Sequence, residues 1–186
     1  METITEERQL YATDGELFLY PISEVDRENF VHLQVQTKGK STLFLNPYFK
    51  DKIWNQVLYG KNKIFSIYNK QGIYYGSTEL MHLPSKTPEI GIALLENYRN
   101  KGFALKILQL LMKQTCKEQE VDYFLARISS RNPHSKHVCE KIGGIFIREE
   151  VNTSNPYEEE EIIYQYILLP ELCIQSLPNE IRENVR

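Results

Sequence analysis

The strongest constraint on the fold is a change of pattern at residues 99–104, which read Arg-Asn-Lys-Gly-Phe-Ala. Residues 89–95 alternate as in a strand, whereas residues 104–113 carry apolar side chains at helical spacing. The segment therefore predicts a strand, a short basic turn and a helix. Because the first amides of a helix lack partners within it, and the helix dipole is positive there, such a turn can bind an anion. Gly102 allows close approach to the backbone, so the expected guest is a phosphate or pyrophosphate.

Two common phosphate-binding motifs do not fit this turn. A nucleoside-triphosphate loop requires Gly-x-x-x-x-Gly-Lys-Ser/Thr, in which the lysine contacts the phosphates and the hydroxyl contacts magnesium. Gly102 is instead followed by Phe103, Ala104 and Leu105. A dinucleotide fingerprint requires three glycines at Gly-x-Gly-x-x-Gly spacing, and only one of them is present here. The turn therefore belongs to another kind of phosphate carrier.

A second motif follows at residues 132–143, which read Asn-Pro-His-Ser-Lys-His-Val-Cys-Glu-Lys-Ile-Gly. The two blocks together resemble the GNAT N-acetyltransferase superfamily. Residues 99–104 match its Arg/Gln-x-x-Gly-x-Gly/Ala signature, and residues 132–143 match its Asn-x-x-Ser/Ala-x-x-Val/Leu-x-x-Lys-Leu-Gly helix. The resemblance is strong over residues 63–168. The Glu-Ile-Gly at residues 89–91 and the Glu-Lys-Ile-Gly at residues 140–143 are most similar to the branch that contains ribosomal-protein alanine acetyltransferases.

The resemblance implies an α+β fold, with a mixed twisted sheet carrying helices on both faces in three layers, within a single domain at residues 1–170. The residue patterns independently predict the same order of elements. Strands are predicted at residues 17–20, 63–68, 73–80, 89–95, 123–129, 144–147 and 162–167. Helices are predicted over 22–59, with breaks near 38–40 and 46–47, over 101–117, and from the N-cap Asn132 to Gly143. Residues 171–186 are expected to be an amphipathic tail that covers a sheet edge or contacts a second subunit.

The resemblance also implies the activity, which is transfer of acetyl from acetyl-CoA to a primary amine by direct attack. In this family the turn binds the pyrophosphate, and the preceding strand edge binds the pantetheine arm and polarises the thioester carbonyl. The acceptor is a protein N-terminus or a small-molecule amine, and no metal is expected. The implied cofactor contacts are Ala93, Leu94, Leu95, Arg99, Asn100, Lys101, Gly102, Phe103, Ala104, Asn132 and Ser135.

The general base is predicted to be Glu89, which matches a position that some family members use for an acidic base. The competing interpretation is an exposed glutamate at the start of a strand. His82 and Glu79 are weaker alternatives. Cys139 stands where many family members have a tyrosine that protonates the leaving thiolate. Burial of Cys139 as a small apolar residue is the favoured explanation, since a cysteine is a less suitable acid.

Composition excludes several other classes of protein. With 186 residues, a net charge of −3 and a pI near 5.9, the chain does not resemble a nucleic-acid binder. A helix that spans a membrane needs about 18 consecutive apolar residues, and the chain has no apolar run of nearly that length. Its first residues do not read as a secretory signal, and its 3 cysteines fit no metal or disulfide pattern. The expectation is a cytoplasmic monomer or homodimer.

Two alternatives remain open from sequence. One is a non-catalytic module that binds coenzyme A for sensing or assembly, and the other is an enzyme with a longer acyl donor. Acceptor specificity is expected to lie in the helices of residues 22–59 and in the loop near Tyr157, where the family resemblance fades.

Overall fold

The computed structural model describes residues 8–37, 46–152 and 161–171. Its strands are β1 (Ala12–Thr13), β2 (Leu17–Pro21), β3 (Lys63–Asn69), β4 (Tyr74–Met81), β5 (Glu89–Leu94), β6 (Phe124–Ser129), β7 (Ile145–Asn152) and β8 (Glu161–Leu168). Its α-helices are α1 (Arg27–Thr37), α2 (Pro47–Tyr59), α3 (Phe103–Glu118) and α4 (Pro133–Lys141), with 3-10 turns at Glu24–Asp26 and Glu96–Tyr98. The predicted break at 38–40, the loop near Tyr157 and the tail at 172–186 lie outside the described residues.

The eight described strands form one mixed sheet in the order β1-β2-β3-β4-β5-β6-β8-β7. β2 is antiparallel to β1 and β3, and β8 is antiparallel to β6 and β7. β5 and β6 are parallel, with Glu89 opposite Leu125. This arrangement confirms the predicted α+β class, and every predicted strand is present, most of them extended by a residue or more. The short strand β1 was not predicted.

The described residues divide into two compact units. One is drawn from Met1–Glu79 with Ile92–Arg99, and the other from Leu80–Gly91 with Asn100–Arg186. In the first unit the inward residues of β2 and β3, Leu17, Leu19 and Ile67, are almost fully buried. Helices α1 and α2 contact each other in this unit, and the rings of Phe30 and Trp54 lie 6.0 Å apart between them. The two helices therefore share an aromatic core.

The core of the second unit depends on α3. The helix buries Ile107, Leu108, Leu111 and Met112 along one stripe, and each such side chain contributes about 1.5–3 kcal/mol when it leaves water. The helix begins at Phe103 rather than at the predicted residue 101. The later start has a local cause, because the backbone before it is left-handed and cannot belong to the helix.

Helix α4 has the predicted ends. Asn132 is its N-cap and Pro133 its first residue, and Gly143 follows it with φ +95°. The buried face of the helix is formed by Cys139 and Ile142, whereas Val138 is only half-buried. The chain folds back here, with the Gly144 amide donating to the Cys139 carbonyl at 2.9 Å, which covers the cysteine.

Candidate functional site

The turn between β5 and α3 contains two left-handed residues, Asn100 at φ +58° and Gly102 at φ +80°. Gly102 is the N-cap of α3, and no side chain caps this helix. The first bond within the helix runs from the Lys106 amide to the Gly102 carbonyl at 3.4 Å. The amides of Ala104 and Leu105 therefore have no carbonyl partner inside the helix. Such an end attracts anions, because the partial positive charge of the helix dipole is concentrated there.

The surroundings of Gly102 are open. A Cβ atom built on this glycine would have no heavy atom of the described residues within 4 Å, apart from its own chain neighbours. Lys101, which directly precedes it in the chain, is exposed, and Arg99 in the first unit is also exposed. The turn therefore combines helix amides, the charge of Lys101 and open space next to the Cα atom of Gly102.

The C-terminal end of β5 is held by hydrogen bonds within the first unit. The Leu95 amide donates to the Tyr75 carbonyl and the Leu95 carbonyl accepts from the Tyr98 amide, each at 2.9 Å. The Arg99 Nε donates to the Leu94 carbonyl at 2.8 Å, and the rings of Tyr75 and Tyr98 stack at 3.9 Å. Both backbone groups of Leu95 are thus engaged. The Leu95 amide could donate to a bound pantetheine only by leaving Tyr75, whereas the Leu95 carbonyl oxygen can accept a second hydrogen bond.

The second motif lies at the start of α4. The Asn132 side-chain oxygen accepts from the Ser135 amide at 3.0 Å, which confirms the predicted capping role. Asn132 is exposed and Ser135 is half-buried. The cap uses only the carbonyl oxygen of the asparagine amide, so its NH2 group can still donate to a ligand. Helices α3 and α4 contact each other within the second unit.

The predicted base, Glu89, is not an exposed strand-end glutamate. It is 8% exposed, and its Oε2 lies 3.1 Å from the Nε2 of His82. His82 directly follows β4, and its side chain is 68% exposed. The sequence predicts His82 as an alternative base and not as a partner of Glu89. Hairpin geometry could have suggested the contact, since one residue follows β4 and the other begins β5.

Cys139 is buried as predicted, with 3% exposure. Burial, followed by the charge of Glu140, raises the pKa of the Cys139 thiol to about 12. The neighbouring Tyr166 on β8 was not singled out from sequence. Its hydroxyl donates to the Glu140 carboxylate at 3.3 Å, and burial followed by Glu140 raises its pKa to about 12. Neither group has a pKa suited to donating a proton near neutral pH.

The structure distributes the predicted residues over the two units. Glu89, Asn100, Lys101, Gly102, Phe103, Ala104, Asn132 and Ser135 belong to the second unit, and Ala93, Leu94, Leu95 and Arg99 belong to the first. The described parts of the chain contain no group of three His, Cys, Asp or Glu residues that could hold a metal ion. In those same parts, every helix is too short or too polar to cross a bilayer.

These features define a class of protein with a mixed α+β sheet and, after strand β5 and a short turn, a helix that no side chain caps. A family profile described as the acetyltransferase (GNAT) domain matches residues 10–145, which is most of the chain. The chain therefore belongs to the GNAT acetyltransferase family, as the two motifs predicted. No curated protein matches it in sequence.

Solved structures share the fold. A GNAT-family acetyltransferase from Bacillus anthracis is 21% identical, with 88% of this chain and 99% of that chain covered and a TM-score of 0.72. A chimera of the Vibrio cholerae spermidine N-acetyltransferase SpeG and hSSAT is 15% identical, with 86% of this chain and 98% of that chain covered and a TM-score of 0.71. A dodecameric spermidine N-acetyltransferase from Vibrio cholerae is 16% identical, with 85% of this chain and 96% of that chain covered and a TM-score of 0.68.

Proposed function

We propose that this protein transfers acetyl from acetyl-CoA to a primary amine by direct attack of the amine. The observation that carries the proposal is the start of α3, where a left-handed glycine leaves helix amides uncapped beside open space and next in sequence to the exposed Lys101. A pyrophosphate matches this arrangement in charge and in the number of hydrogen bonds it accepts. Family membership supports acetyl-CoA as its carrier.

Each part of the chain has a separate task in this proposal. The turn of residues 99–104 binds the diphosphate, with Arg99 and Lys101 supplying charge. Asn132 and Ser135, at the start of α4, bind the cofactor through groups that the cap leaves available. Ala93 and Leu94 present backbone groups to the pantetheine arm, and Leu95 keeps its internal bonds. Bound acetyl-CoA supplies an activated thioester, which needs no metal.

Glu89 is the proposed base. An amine is protonated near neutral pH and has no lone pair for attack until it loses a proton. A carboxylate that is 8% exposed is shielded from bulk water, so its hydrogen-bond partner influences it strongly. Such a group can accept the ammonium proton from an acceptor placed within hydrogen-bond reach, directly or through one water.

The acceptor is proposed at the level of a primary amine. The solved neighbours include spermidine N-acetyltransferases, which makes polyamines one class to test. Resemblance to the ribosomal-protein alanine acetyltransferases makes peptides with an N-terminal alanine the other class. A cytoplasmic location and a monomeric or homodimeric state remain predictions.

Turnover of acetyl-CoA in the presence of spermidine or an N-terminal alanine peptide tests the proposal. We expect release of free coenzyme A that depends on one of these amines, together with the mass of the acetylated product. Glu89→Gln should lower kcat by about 100-fold, as expected for loss of a general base. Glu118→Gln, an exposed substitution at the end of α3, should leave kcat unchanged. Amine-independent release, or no release, would refute the proposal.

A non-catalytic coenzyme A-binding module is the second candidate. One observation favours it, namely that a buried thiol with a raised pKa stands where the family often has a proton-donating tyrosine. Binding of acetyl-CoA without turnover on any amine would support this candidate. Turnover with succinyl-CoA but not with acetyl-CoA would instead indicate a longer acyl donor.

A further inference from the structure

We propose that His82 is a positioning residue that holds the Glu89 carboxylate and carries its proton to solvent. The inference rests on the proposed acetyltransferase function, in which Glu89 is the base. It adds a partner for that base and a route by which the base is regenerated between turnovers.

The pair joins a shielded group to an exposed one. Glu89 Oε2 and His82 Nε2 lie 3.1 Å apart, while the glutamate side chain is 11% exposed and the histidine side chain is 68% exposed. A carboxyl group that has taken a proton in such a place has little contact with the water that must receive it. The imidazole touches the carboxylate with one ring nitrogen and leaves the rest of the ring to solvent. It can therefore link the base to bulk water.

The segment between the two residues is firmly held. The Lys86 carbonyl accepts from the Asp122 amide at 2.8 Å, and the Ser85 carbonyl accepts from the Gln119 side chain at 3.0 Å. At the start of β5 the Pro88 carbonyl accepts from the Leu125 amide at 2.9 Å. Each of these bonds lies within the second unit. The contact between His82 and Glu89 is therefore built on an anchored turn.

The backbone of His82 is left-handed at the residue that makes this contact. Its φ is +59°, and among the described residues only one other non-glycine, Asn100, has a positive φ. Left-handed backbone is disfavoured for residues with a Cβ atom, although histidine and asparagine adopt it more readily than most. Strain of this kind persists where surrounding structure over-determines it, and it concentrates at functional sites. Here the strain accompanies the hydrogen bond to Glu89.

The proton balance is simple. Glu89 takes one proton from the acceptor ammonium, which frees the nitrogen lone pair to form the new C–N bond as the thioester C–S bond breaks. With Glu89 ionised, the Nε2–H of His82 donates to the carboxylate. Once the carboxyl group is protonated, exchange with solvent moves the ring proton from Nε2 to Nδ1, and Nε2 accepts the carboxyl proton while Nδ1 releases its proton to water. This restores both the carboxylate and the Nε2–H donor. The second nitrogen proton leaves as the amide forms and ends on the coenzyme A thiolate, so each turnover releases one proton to solvent.

Two substitutions of His82 separate a relay from a structural role. His82→Asn suits the left-handed backbone and keeps an N–H donor for Glu89, but it cannot carry a proton. His82→Gly removes the backbone strain and leaves space for added imidazole. We expect both variants to lose about 10- to 100-fold in kcat, with KM for acetyl-CoA unchanged. Added imidazole should restore His82→Gly in a saturable manner and have no effect on His82→Asn.

Controls make the outcomes decisive. His137→Asn, at an exposed position on α4, should behave as wild type, and thermal unfolding should show that all variants fold. If Glu89→Gln loses activity while both His82 variants keep it, the relay is refuted and the acetyltransferase proposal stands. If His82→Gly is inactive and imidazole does not restore it, the relay is also refuted. If wild type turns over no amine, the proposed function fails and this inference fails with it.

Discussion

Gly76 and Ala93 lie so close together that a Cβ atom on Gly76 would be 2.1 Å from the Ala93 carbonyl oxygen. Gly76 is on β4 and Ala93 on β5, and both belong to the first unit. The φ of Gly76 is +155°, a value that residues with a Cβ atom rarely adopt, so backbone conformation and space both require glycine here. This close approach sets the position of the strand segment that we propose for the pantetheine arm.

Gly76→Ala should therefore be strongly destabilising. The added methyl group meets backbone atoms that cannot rotate away, and overpacking of this kind costs about 3 kcal/mol. Gly72→Ala is the matched control, because Gly72 has open space but a φ of +74°, which costs about 1 kcal/mol in strain. Urea unfolding measures both. Equal losses for the two variants would show that the strands can separate to admit a side chain.

Gly102→Ala should weaken binding of acetyl-CoA beyond its effect on stability. The site is open, so the methyl group meets no described atom, but it would occupy the space proposed for the diphosphate. Gly15→Ala has the same open space and a similar φ of +89°, far along the chain in the turn before β2. Both should lose about 1 kcal/mol of stability. Only Gly102→Ala should raise the Kd for acetyl-CoA about tenfold, which is a loss of about 1.4 kcal/mol in binding free energy. Calorimetric titration measures this change.

Asn132 should show its two roles separately. Asn132→Ala removes the cap of α4 and should lower the free energy of unfolding by about 1 kcal/mol. Asn46→Ala, at the start of α2, should lower it by the same amount. Asn132→Asp keeps a capping oxygen, so unfolding should change little, yet it lacks the amide donor proposed for the cofactor. We expect weaker acetyl-CoA binding for both Asn132 variants and unchanged binding for Asn46→Ala. If Asn132→Asp binds acetyl-CoA with wild-type affinity, Asn132 acts only as the cap of α4.

Alkaline pH should destabilise the fold through Cys139 and Tyr166. Burial, then Glu140, raises each pKa to about 12, whereas the unfolded groups titrate near about 8.5 and about 10. The unfolded chain loses these protons first, so the free energy of unfolding is unaffected below about pH 8.5 and falls above it. Urea unfolding between about pH 7 and about pH 11 should show a shallower fall for Tyr166→Phe. The exposed control Tyr59→Phe should match wild type.

Sequence predicted the elements that local chemistry determines. Asn132 and Gly143 marked the ends of α4, and alternation marked the strands, because capping and side-chain period depend on neighbouring residues. The predicted start of α3 lies two residues before the observed one, since whether a glycine caps a helix or joins it depends on its φ.

The features that sequence did not predict are tertiary. The contact of His82 with Glu89 depends on the return of the chain from β4 to β5, and the contact of Tyr166 with Glu140 joins β8 to α4. The network of Arg8, Asp26 and Tyr68 joins residues far apart in sequence, with Arg8 Nη2 and Asp26 Oδ2 at 2.6 Å. Residue patterns carry no direct signal for such pairs, because each partner alone resembles an ordinary polar residue.

The central claim is that the amides at the start of α3 bind the diphosphate of acetyl-CoA. Calorimetric titration of the wild-type protein with acetyl-CoA and with acetylpantetheine, which has the same thioester arm but no diphosphate, tests it most directly. We predict a Kd for acetyl-CoA within about 1 μM to 1 mM, the usual range for enzyme substrates, and at least about 100-fold weaker binding of acetylpantetheine. Equal affinity for the two compounds, or no binding of acetyl-CoA, would contradict the account.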